Sequence, residues 1–178
     1  MMFSENKKEY YLEVSQLLSP EEIQTGLWLV MAGVDDIPPH IALINEGLYY
    51  SVSAKKVEVG VPIANFLKAI SRKSVPTVFV KIKAPLSPPI RRIFERYPTL
   101  GNGEHSCLWP VRDVFVEMFS QKYSNATLVF ELLAMAEQDG VIEECKSLFV
   151  EKGGTVILPK YTREQIREKI NSILKVNE

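Results

Sequence analysis

The chain has few of the residues that most often build recognisable chemistry. It holds two histidines, His40 and His105, and two cysteines, Cys107 and Cys145, in 178 residues. No Cys-x-x-Cys occurs, so neither a zinc knuckle nor a redox pair is expected, and the spacing does not demand a disulfide. The "GNG" at 101–103 lacks the following Lys-Ser/Thr that lets a glycine loop hold phosphate. No metal and no cofactor are therefore expected. A basic excess is also missing, with 21 Lys and Arg against 22 Asp and Glu. That excludes the electrostatic footprint of a nucleic-acid binder. No run of about eighteen apolar residues exists, so no transmembrane segment is expected. The start, "MMFSENKKEYYLEV", is polar and has no apolar h-region, so a cytoplasmic protein without a signal peptide is expected. Repeats and low-complexity tracts are absent.

What remains is an ordinary globular composition, 46 % apolar and 24 % charged, long enough for one domain over 1–178 with a sizeable core. "SPEEIQTGLWLVMAG" opens with Ser19, Pro20 and two glutamates, a capped turn, and continues as a strand. "HIALI" and "LYYSVS" are two β-rich runs around a Gly-containing turn, a hairpin that "KKVEVG" could extend. "VPIANFLKAISRK" sets Ile63, Phe66, Leu67 and Ile70 on one helical face. "VPTVFVKIK" is a strand. A proline-rich linker enters a short helix at Pro89, and the loop "TLGNGEHS" leads to "CLWPVRDVFVEMFSQKY". There Leu108, Val111, Val114, Phe115, Met118 and Phe119 form one helical face. "TLVFELLAMAEQDG" and "TREQIREKINSILK" read as further helices, the second capped by Thr162, with "GGTVILPKY" extended between them. Glu143-Glu144 reads as a solvated helix face. The expected class is α+β: a small, mostly antiparallel sheet packed with helices.

Cys107 falls where that helix would expose its first N–H groups. Such a position lowers a thiol's pKa and can bind an oxyanion. The plainer reading is a small buried apolar residue. His40 opens an apolar strand and shares a face with Ala42, which leaves room for a base beside a helix terminus. Thiol catalysis needs a thiolate, a histidine and a group that orients the imidazole. A nucleophile so placed is expected to be alkylated below pH 8, faster than Cys145. His105 reads as an exposed loop residue, and Trp28 and Trp109 as core or pocket wall.

The order "HIALI", "LYYSVSAKKVEVGVPIANFLKAI", "VPTVFVKI" and later "HSCLWPVRDVF" resembles the circularly permuted papain-like proteins. These relatives of NlpC-type endopeptidases include YiiX-like proteins and lecithin:retinol acyltransferase. The resemblance covers 19–120, with 121–178 as a C-terminal helical extension. It implies a histidine strand before a cysteine helix, with His40 as base and Cys107 as nucleophile. The orienting residue implied on the second strand, often a glutamate before an alanine, is here Ser53, before Ala54. A two-residue turn Glu46-Gly47 would put Ser53 opposite His40 and Ser51 opposite Ala42. A three-residue turn would bring Tyr50 and Val52 there instead. Substrate contacts are expected from Trp109, Tyr50 and Ser51. The implied chemistry is acyl transfer from an amide or ester: a small peptide, a lipid ester or a protein conjugate. A catalytically inactive binding module on the same fold and an α+β interaction domain are the other readings.

Overall fold

The structure, a computed structural model, describes residues 9–84, 88–101, 105–151 and 154–175. The first eight residues of the polar N-terminal stretch, part of the proline-rich linker and most of the "GNGE" loop lie outside them.

The strands are β1 (Glu9–Gln16), β2 (Leu27–Ala32), β3 (His40–Asn45), β4 (Leu48–Val52), β5 (Val57–Pro62), β6 (Thr77–Ile82), β7 (Ile142–Leu148) and β8 (Gly154–Pro159). The helices are α1 (Ile63–Arg72), α2 (Ile90–Phe94), α3 (Leu108–Met118), α4 (Val129–Gln138) and α5 (Arg163–Lys175). All eight strands join one sheet in the order β5-β4-β3-β2-β6-β7-β1-β8. Among the described strand pairs, only β1 with β7 runs parallel. The α+β class with a mostly antiparallel sheet holds, but the sheet is larger than expected.

Both faces of the central strands are covered, which is why β2 reads "LWLVMA" with no polar alternation. Leu27, Leu29, Met31, Ile41, Leu43, Tyr50 and Val52 face one cluster, with Val111, Val114 and Phe115 of α3 and Leu132 and Leu133 of α4. Trp28, Val30, Ala42, Ile44, Tyr49 and Phe79 face the other, with Ile63 and Ile70 of α1. Phe66 and Leu67 pack against that second cluster at its margin. Successive residues of one strand thus feed two different cores, as the two-residue side-chain period requires.

Three expectations change. The polar-looking "EYYLEVSQ" is β1, its Leu12 and Val14 buried, Tyr10 half-buried against the same cluster and its other positions exposed. Glu143 and Glu144 lie in β7, not on a helix, and reach Lys81 of β6 at 3.7 and 3.6 Å. Residues 121–178 are not a helical extension, because they contribute β7 and β8 to the sheet, with β7 seated between β6 and β1. Glu143, Glu144 and Lys146 mask a strand that buries little and pairs through its backbone. Among the described residues, no helix is long and apolar enough to cross a membrane.

Candidate active site

The hairpin of β3 and β4 sets the site. Its register runs from Asn45 opposite Leu48 to Ala42 opposite Ser51, so the loop is the two-residue turn Glu46-Gly47. Both turn residues have positive φ, 50° and 73°, the mirror-image turn whose twist suits a hairpin. This register puts Ser51 on the α1 side with Ala42, and His40, two residues before Ala42, on that side as well. There His40 Nε2 lies 3.3 Å from Ser51 Oγ. Ser51 is 1 % exposed, and burial keeps the His40 pKa below the usual imidazole value. Glu58 opposes that shift and Lys56 adds to it. The ring is therefore neutral at pH 7.

Ser53 does not orient His40. The paired register ends before it, and its hydroxyl ties its own turn: it donates to Lys56 O at 3.0 Å and accepts from the N–H groups of Lys56 at 3.0 Å and Lys55 at 3.4 Å. The serine beside His40 is Ser51. Sequence reasoning had a signal for it, a small polar residue inside the apolar run "LYYSV", but not the register that chooses between them.

Cys107 immediately precedes α3 and packs against the cluster on the opposite side of the sheet from His40. Its sulfur nevertheless reaches the strands: the N–H of Ile41, the residue after His40, donates to Cys107 Sγ at 3.4 Å. From a two-residue hairpin, hydrogen-bonded pairs fall at Asn45–Leu48, Leu43–Tyr50 and then Ile41–Val52. That last pair is absent from the register, and the Ile41 N–H it would use points at the sulfur. The thiol thus takes the place of a backbone acceptor where β3 and β4 part. Its own N–H and that of Leu108 also favour the thiolate, but burial outweighs all three and pushes the thiol pKa up. The expected low-pKa thiol is not what this arrangement produces. Nor does a hydrogen bond join His40 to Cys107 among the described residues.

Tyr50, expected in a substrate cleft, is 5 % exposed and tilts against Phe94 of α2, 5.7 Å between ring centroids. It is core. Trp109 does stay partly exposed, with the Arg112 guanidinium 4.7 Å above its ring. His105 is not a free loop histidine: its ring meets Trp109 edge-on at 4.8 Å and Tyr97 at 5.8 Å. Its Nδ1 and the Ser106 hydroxyl are buried and have no hydrogen-bond partner among the described residues. Trp28 is fully buried and donates its indole N–H to Thr25 O at 2.8 Å. Both cysteines are free thiols, and no cluster of metal-ligating side chains occurs among the described residues.

No protein-family model, curated protein or solved structure matches the chain.

Proposed function

We propose that the protein is a thiol-dependent acyl-transfer enzyme, a hydrolase or acyltransferase acting on an amide or ester, with Cys107 as nucleophile and His40 as base. The observation that carries this reading is the seat of the Cys107 sulfur. It lies at the head of an eleven-residue helix, in the unpaired rung beside Ile41, facing three backbone N–H groups. An inert core thiol has no need of such surroundings.

The resting site holds a neutral thiol and a neutral imidazole, so proton transfer accompanies attack instead of preceding it. In the tautomer whose Nε2–H donates to Ser51, 3.3 Å away, the lone pair of Nδ1 is the basic site. In the proposed reaction it takes the thiol proton as sulfur bonds to the carbonyl carbon, a step that requires the two side chains, unbonded to each other at rest, to meet at the open end of β3. The N–H groups of Cys107 and Leu108 are the donors for the oxyanion. The imidazolium then protonates the leaving amine or alcohol. Water, activated by His40, releases the acid from the thioester, or a second acceptor takes the acyl group. A small peptide, a lipid ester and a protein conjugate all present the carbonyl that this sequence of steps requires.

A binding module on the same fold is the second reading. It draws on the seating of His40 and Cys107 on opposite sides of the sheet and on the raised thiol pKa. Turnover of an ester and amide panel, with mass spectrometry of Cys107, separates the two. The expected result is an acyl adduct on Cys107, absent in Cys107→Ala, with turnover in His40→Ala lowered about a hundredfold or more. Wild type indistinguishable from Cys107→Ala on every substrate, with no adduct, would replace the enzyme by the module.

A further inference from the structure

The α1 side of the sheet carries a short polar row across three strands. Ala42 of β3 faces Ser51 of β4, and Ser51 faces Glu58 of β5. Directly opposed residues of antiparallel strands point to the same side, so Glu58 shares a side with Ser51 and His40. A bulge makes this so. Tyr49 pairs with Val61 and Tyr50 with Val59, leaving Gly60 as the extra residue at a φ of 67°. In the unbulged register Val59 would face Ser51 and Glu58 would turn to the opposite side. The apolar neighbours agree: Val57 and Val59 pack on the α3 side, Val61 on the α1 side.

Glu58 is also restrained. Lys56 Nζ reaches its carboxylate at 2.8 Å, with side-chain exposures of 66 % for Lys56 and 22 % for Glu58. The turn that presents Lys56 is the one tied by Ser53. We propose that Glu58 is the counter-charge of His40, delivered across Ser51 by the Gly60 bulge, and that the Lys56–Glu58 ion pair sets how much of that charge His40 receives. This extends the proposed acyl-transfer reading, in which an imidazolium must form at His40, and makes Glu58 a positioning residue that does not touch substrate. The charged groups acting on His40 are Glu58 and Lys56 from β5 and its preceding turn; Ser51 and the buried Tyr49 phenol of β4 share its side of the sheet, and the Cys107 thiol packs on the opposite side. Only the first two carry charge at neutral pH. Their opposite effects on His40, Glu58 favouring the charged ring and Lys56 disfavouring it, agree with the geometry.

The test is the His40 titration, read by imidazole nitrogen NMR on tag-free full-length protein. Two histidines give two sets of signals, and His40→Gln assigns them. Glu58→Gln is expected to move the His40 midpoint down and Lys56→Met to move it up. Glu95→Gln, which removes an exposed carboxylate paired with Arg91 on α2, is expected to leave it in place. An unmoved midpoint in Glu58→Gln and Lys56→Met, or shifts of the same sign, overturns the proposal. If Glu58→Gln does not fold, Lys56→Met decides alone, because its side chain is mostly in solvent. Opposite shifts without any acyl adduct on Cys107 would keep the counter-charge and discard the enzyme.

Discussion

At Cys107 two effects of the same helix terminus compete. Backbone N–H groups from Ile41, Cys107 and Leu108 favour a thiolate, and loss of solvent around the sulfur disfavours it. Desolvation wins, since N–H dipoles replace only part of what water supplies to a full charge. Cys145 on β7 is also pushed up, to about 11, by burial and by Glu137 and Glu144. The sign follows directly: a raised thiol pKa means that the thiolate appears only as pH rises past its ordinary value, about 8.5. Iodoacetamide labelling of both cysteines is therefore expected to be slow at pH 7 and to climb only in the alkaline range. Rapid labelling of Cys107 at pH 7, measured by peptide mass spectrometry, would show that the sulfur is more open to solvent than this packing allows.

Among the elements, the β3–β4 hairpin carries the most functional consequence, because its two-residue turn decides which serine meets His40. Gly47 sits at a φ of 73°, and a Cβ there would come within 2.6 Å of Gln24 Oε1. Gly47→Ala is thus expected to cost about 1–2 kcal/mol in urea unfolding, the order of placing a non-glycine residue in the left-handed region. A neutral or stabilising result would mean that the turn relaxes to another type. The helices are secured by their own ends. Glu131 of α4 accepts from the N–H groups of Thr127 at 2.8 Å and Leu128 at 3.1 Å, and Thr162 and Gln165 exchange bonds at the start of α5. These devices are local in sequence, and the Thr162 cap is legible there; the bulge at Gly60 is not, since it exists only relative to β4.

At the scale of the molecule, N- and C-terminal segments complete one sheet. β1 pairs with β7 and β8, and β7 closes the edge of β6, whose Val78, Phe79 and Val80 are all fully buried. Removing residues 121–178 would leave β1 without either neighbour and expose the unpaired edge of β6. Such a fragment is expected to show no cooperative thermal transition by circular dichroism and to aggregate in size-exclusion chromatography. A monomeric fragment that melts cooperatively would instead make 19–120 an autonomous core.

Elements whose signals are local are legible in the chain: the Pro20 turn, the apolar face of α1, the strands β2, β3 and β6, the helix that follows Cys107, and the Thr162 cap. Each is set by residues within a few positions of one another, where periodicity, proline and side-chain caps act. The sequence also narrowed the hairpin to two registers without choosing. The tertiary structure alone decided that choice, and with it Ser51 over Ser53. It likewise decided the burial of Tyr50 under α2, the recruitment of the charged β7 into the sheet, the placement of Glu58 on the side of His40, and the meeting of Cys107 with Ile41. Those outcomes depend on which strand lies beside which and on how far solvent is excluded. Both are properties of pairing between distant segments, and no window of the chain encodes them.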